Sequence, residues 1–188
     1  MSELRIYPAQ NGQTAAEVIS RHATIAARLA GIGVLFERWK AGAKLHPEAS
    51  QDEVIEVYRE PIDRLMREYG FASVDVVGMH PNHPSKDELR EKFLHEHTHS
   101  DFEVRFFVDG GGLFYIHHGE EVFVVHCVRG DLISVPANTP HWFDMGDAPS
   151  FKAIRLFTTT DGWVAKYTGD EIATRFPKMD EFLADKAA

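Results

Sequence analysis

Cysteine is almost absent: Cys127 stands alone in 188 residues, so no disulfide closes within the chain and no cysteine-based zinc site forms. No run approaches the roughly 18 apolar positions of a membrane span. Positive charge is in deficit. Twenty Lys and Arg face 29 Asp and Glu, a formal net charge of −9. That balance argues against tracking nucleic-acid phosphates or lying on an anionic membrane. It leaves room for a small anionic substrate, because one local arginine overrides the global field. The start, Met-Ser-Glu-Leu-Arg, has no apolar segment behind a basic stretch, so a reducing cytoplasm is the expected compartment. There is no internal repeat and no low-complexity tract. What is plentiful is histidine, eleven residues, with three crowded into His95-Glu-His97-Thr-His99. A composition of 44% hydrophobic and 26% charged residues fits one globular domain able to bury a sizeable core.

The chain changes character near residue 93. Before it, helical spacings dominate. Thr14-Ala-Ala-Glu17 has capping-box spacing and predicts a helix start, with Val18, Ile25 and Leu29 on one face and Gly31 and Gly33 as the stop. Ser50–Glu53 repeats that spacing. Val54, Tyr58, Ile62, Leu65 and Tyr69 then recur at helical steps, with Pro61 expected to kink this helix or begin a second one, and Gly70 to end it. Strands are expected at Leu4–Tyr7, Val34–Trp39 and Ala72–Met79, and a short helix at Ser85–Phe93. After it come Glu103–Val108, Leu113–His117, Val122–Val128, Leu132–Val135 and Ala153–Thr158, short β-rich runs separated by turn residues such as Gly110–Gly112. That texture predicts an antiparallel sandwich or barrel. Two short helices flanking Pro177 close the chain.

The chemical signal is His97-x-His99-x-x-x-Glu103, with His141 further on. Alternation on a strand sends His97 and His99 the same way, and Glu103 keeps their parity. Three imidazoles and a carboxylate suit Fe(II), Ni(II), Mn(II), Co(II) or Zn(II). On an octahedral ion they leave two open positions, enough for a bidentate substrate. A rival register, His95-x-His97-x-x-x-Asp101, has the same spacing. Counting seven onward separates them: from Glu103 it reaches Gly110, where a turn is expected, and from Asp101 it reaches Val108, mid-strand. The Glu103 register is preferred. Arg105 has the parity of Glu103 and should enter the same cavity, where it would pair with charge on a bound substrate or with Glu103 itself. A second block, Gly130-x5-Pro136-x4-His141, reads as turn, strand and a loop that returns His141.

The two blocks together match the paired motifs of the cupin superfamily, although Asn138 stands where cupins usually have glycine. Lys92-Phe-Leu-His-Glu-His-Thr-His99, Glu103-Val-Arg-Phe-Phe-Val-Asp-Gly110, Gly130-Asp-Leu-Ile-Ser-Val-Pro136, Pro140-His-Trp-Phe-Asp-Met145, Ile154-Arg-Leu-Phe157, Gly162-Trp-Val-Ala165 and Tyr167-Thr-Gly169 resemble acireductone dioxygenases. The resemblance is dense over about residues 71–177 and loose before them, and Phe102 departs from it where the family tends to be acidic.

The resemblance implies a mainly β fold, a double-stranded β-helix or jelly-roll-like barrel over about 71–160, with a helical decoration over about 1–70 and a helical tail over about 161–188, all one domain. It implies an enzyme of methionine salvage acting on an acireductone, 1,2-dihydroxy-3-keto-5-methylthiopentene, with O2. Fe(II) would give formate and 4-methylthio-2-oxobutanoate. Ni(II) would give formate, carbon monoxide and 3-(methylthio)propanoate. One ion per chain would be held by His97, His99, Glu103 and His141. Arg105 is the expected catalytic residue, and Phe93, Phe143 and Trp163 are candidates for the substrate wall. A monomer is expected, with no nucleic-acid or membrane partner. Two other readings stay open: a metal-binding cupin that holds a ligand without turnover, and another cupin dioxygenase or isomerase.

Overall fold

A computed structural model describes residues 1–43, 45–46, 49–159 and 164–187. The elements are β1 (Glu3–Pro8), β2 (Glu17–Ile19), α1 (His22–Ala30), β3 (Leu35–Arg38), α2 (Gln51–Val57), α3 (Arg59–Tyr69), β4 (Ser73–Met79) and α4 (Lys86–Leu94). They continue with β5 (His97–Thr98), β6 (Glu103–His118), β7 (Glu121–Val128), β8 (Asp131–Val135), β9 (His141–Asp144), β10 (Phe151–Phe157), β11 (Lys166–Tyr167) and α5 (Met179–Ala187). All pairings are antiparallel. One sheet runs β11-β5-β9-β6-β7-β1-β2; the other runs β4-β10-β6-β8-β3. This is the expected double-sheet barrel.

The two sheets share β6. Glu103–Phe106 pairs with β8 and β10, and Gly111–His118 pairs with β7 and β9. The expected turn at Gly110–Gly112 is therefore not a break between two strands but a bend inside one strand of 16 residues. Gly110 has φ of 59°, and a Cβ there would lie 1.8 Å from the Ser150 carbonyl oxygen. Only glycine lets the strand leave one sheet and enter the other at this closeness.

The helix expected from Thr14 does not start there. Glu17–Ile19 pairs with β1 as an edge strand, Leu4 opposite Ile19, with Val18 turned outward at 61% exposure. The unpaired edge of β1 offers a ladder, and that tertiary pairing outweighs a local capping preference. The helix begins at His22, and Ile25 and Leu29 are buried as their spacing requires. The second capping box does form: Ser50 accepts from the Glu53 N–H, and the Glu53 carboxylate accepts from the Ser50 N–H at 2.8 Å. The pattern breaks at Tyr58, so Pro61 falls in the first turn of α3, where its missing N–H costs nothing. Gly70, with φ of 73°, caps that helix. In the tail a single 3-10 turn, Ile172–Arg175, and α5 flank Pro177.

The barrel interior is apolar below its mouth: Ile6, Phe107, Phe114, Ile116, Phe123, Phe143 and Phe151 pack together. The helices cover outer faces, α2 and α3 over Phe106, Leu132 and Ile154, and α5 over Tyr115 and Trp142. No helix among the described residues is long and apolar enough to cross a membrane.

Candidate metal centre

Three separate stretches converge at one mouth of the barrel. Strand β5 brings His97, and the loop after it brings His99. The first residue of β6 is Glu103, and the first residue of β9 is His141, directly opposite His97. One ligand atom from each of the four lies within 4.8 Å of every other. All four side chains are buried, Glu103 at 1% and His141 at 2% exposure.

Backbone carbonyls set the rings. His141 Nδ1 lies 2.7 Å from the Thr139 carbonyl oxygen, His97 Nδ1 lies 2.7 Å from that of His95, and His99 Nδ1 lies 3.2 Å from that of Val164. A carbonyl can only accept, so each Nδ1 carries a proton, and the Nε2 atoms of His141 and His99 are turned toward Glu103. The loop that delivers His141 is braced as well: Asn138, in the left-handed region with φ of 61°, donates its N–H to the His99 carbonyl at 2.7 Å. Asparagine tolerates that conformation, and so serves where cupins usually have glycine.

These ring nitrogens face a carboxylate. Glu103 Oε2 lies 2.8 Å from His141 Nε2 and 3.1 Å from His99 Nε2. Burial opposes ionisation of Glu103, but Arg105, His141 and His99 together hold its carboxyl well below the usual range. Burial and the neighbouring His141 push His97 down to about 4, so it is neutral at ordinary pH. An unprotonated imidazole nitrogen and an ionised carboxylate this close repel each other unless a cation lies between them. The donor set therefore fits a divalent ion.

Arg105 lies one tier deeper. Its Nε is 2.8 Å from Glu103 Oε1, and the residue is 4% exposed. Three rings surround it, with centroids 4.7 Å (Phe143), 5.1 Å (Phe114) and 5.8 Å (Phe93) from the guanidinium carbon. Burial lowers its pKa, and Glu103 works against that shift. Of the expected wall residues, Phe93 is half-buried beside Arg105, while Phe143 is 1% exposed and packs on Phe107, Phe114 and Phe151. Trp163 and its neighbour Gly162 lie outside the described residues.

The rival register does not converge. His95 is turned outward toward Glu91, and Asp101 accepts from the Thr158 N–H and hydroxyl at 2.7 Å, tying its loop to the end of β10. Two supporting residues escape the ligand spacing. Phe114 completes the ring of aromatics, and its inward strand parity is the signal that could have found it. Glu96, 4% exposed between the outward His95 and the site residue His97, accepts from His117 Nδ1 and from the Thr168 hydroxyl, each at 2.8 Å. A carboxylate inside a strand-like His-Glu-His run, facing away from the ligands, was the available clue.

A four-donor ion site at the mouth of a two-sheet antiparallel barrel defines a metal-binding cupin. Comparison with known proteins narrows the class. The model of the ARD/ARD′ family matches residues 3–165. The acireductone dioxygenase of Methylococcus capsulatus is 56% identical over 97% of this chain and 98% of its own length. That of Aquifex aeolicus is 58% identical over 97% and 99%. A solved structure described as acireductone dioxygenase from Bacillus anthracis with cadmium ion in active center is 34% identical, with a TM-score of 0.79 over 89% of this chain and 98% of that one. This chain belongs to the ARD/ARD′ family, a family of metal-dependent dioxygenases.

Proposed function

We propose that this chain is an acireductone dioxygenase of methionine salvage that holds one Fe(II) or Ni(II) through His97, His99, Glu103 and His141. It takes a small-molecule acireductone and O2 and works as a cytoplasmic monomer. The observation that carries the reading is the convergence of three imidazoles and a buried carboxylate above a buried arginine. Family membership supports it independently.

The ion, when bound, supplies Lewis acidity and a template for two oxygens of an enediol. The chain's own residues do the rest. Carbonyls of His95, Thr139 and Val164 hold the Nδ1 protons and so aim the three Nε2 atoms. Arg105 keeps Glu103 ionised. Its guanidinium also stabilises the negative charge that an enediolate brings into the enclosure, more strongly than it would in water. Phe93, Phe114 and Phe143 exclude water from around that charge.

Metal-stripped protein reloaded with Fe(II) in air should consume the acireductone and release formate and 4-methylthio-2-oxobutanoate faster than spontaneous oxidation does. Ni(II) should divert the products to formate, carbon monoxide and 3-(methylthio)propanoate. Consumption at the background rate with both ions would sink the proposal.

A further inference from the structure

One row of side chains crosses the sheet at the metal centre. Tyr167 on β11 pairs directly with His97 on β5, and His97 pairs directly with His141 on β9. Opposed residues of antiparallel strands project from the same face. The row continues through Ile116, Phe123 and Ile6, all in the interior core, which identifies that face as the inside of the barrel. Tyr167 is its outermost member. It is 55% exposed, and its ring stands edge-on to His97 with centroids 6.0 Å apart.

The backbone on both sides of Tyr167 is pinned to the metal-bearing strand. The Val164 carbonyl accepts from His99 Nδ1 at 3.2 Å. The Thr168 N–H donates to the Glu96 carbonyl at 3.1 Å, and the Thr168 hydroxyl donates to the Glu96 carboxylate at 2.8 Å. Below the four donors the space is filled by Arg105 and the packed rings of Phe114 and Phe143. A ligand whose polar head reaches the donors must therefore send its tail outward, past the mouth.

We infer that Tyr167 is a specificity-determining residue, whose ring contacts the tail of the bound substrate and favours a small apolar or thioether chain. The inference rests on the proposed chelation of substrate at this site. A thioether sulfur at a ring edge gains a modest, directional attraction, and burying the chain against the ring adds to it. The phenol hydroxyl is not needed for this contact.

The test uses the full chain loaded with Ni(II) and two inert chelators that share a head group, acetohydroxamate and methylthiobutanehydroxamate, titrated calorimetrically. The wild type should prefer the thioether arm. Tyr167→Ala should lose roughly 3- to 10-fold of that preference while binding acetohydroxamate normally, and Tyr167→Phe should keep it. With acireductone, Tyr167→Ala should raise KM by a similar factor and leave kcat within about twofold. The inference is overturned if the wild type shows no arm preference or binds neither chelator, if Tyr167→Ala keeps the preference, or if it weakens both ligands equally. Failure of the wild type to consume acireductone would instead remove the proposed reaction, because the chelator comparison requires no turnover.

Discussion

Replacing Arg105 by Met should destabilise the metal-free protein far more than the metal-loaded one. Glu103 and Arg105 are 1% and 4% exposed and lie 2.8 Å apart. Removing one partner of such a buried pair leaves an uncompensated charge and costs about 3–5 kcal/mol. For a chain of this size that corresponds to a fall in Tm of roughly 10 °C. A divalent ion on His97, His99, Glu103 and His141 presents positive charge to the same carboxylate and should offset more than half of the loss. The assay is scanning calorimetry of wild type and variant, each with excess chelator and each with saturating Ni(II). Turnover should be lost in the variant even when metal is bound. Arg105→Lys should recover stability more than activity, because an ammonium keeps the charge but not the planar fork. Equal losses of Tm with and without metal, or none in the metal-free state, would refute the idea that Arg105 and the ion compensate one carboxylate.

Glu96→Ala should weaken Ni(II) binding about tenfold in competition with a chelating dye, because the carboxylate fastens the start of β5 to His117 and Thr168 on the face opposite the ligands; unchanged affinity would confine Glu96 to a stabilising role. His126 is 9% exposed, and burial together with Lys186 and the N-terminal amine pushes its pKa down to about 4. The unfolded chain takes up this proton near pH 6.5 and the folded chain only near 4, so stability falls as pH drops through that window, by about 2 kcal/mol at pH 5 from this group alone. In urea titrations of metal-free protein, His126→Leu should flatten that dependence, and an unaltered slope would remove His126 as its source.

The convergence of four donors was legible because each part is patterned: His97, His99 and Glu103 share strand parity, and His141 follows a glycine-to-proline block. The two helices over Gln51–Val57 and Arg59–Tyr69 were legible for the same reason, since capping box, apolar spacing, Pro61 and Gly70 all agree. What escaped depends on partners distant in sequence. Glu17–Ile19 forms a strand because β1 needs an edge partner, which overrides a capping signal at Thr14. Gly110–Gly112 looks like a turn until both of its neighbouring sheets are in view; then it is the bend that lets one strand serve two ladders. The roles of His95, Thr139 and Val164 are invisible in principle, because they act through carbonyl groups that every residue has.

The shared strand has a kinetic consequence. β6 holds Glu103 and Arg105 at one end and pairs at the other with the strand that carries His141, through partners remote in sequence. His97, His99 and Glu103 are close in sequence but His141 lies 38 residues beyond Glu103, so the complete four-donor set cannot form in one local loop as it does in a zinc finger. It must wait for both ladders to register on β6, a process governed by long loop closures. The absorption of Co(II) during refolding would thus time the closure of the whole barrel.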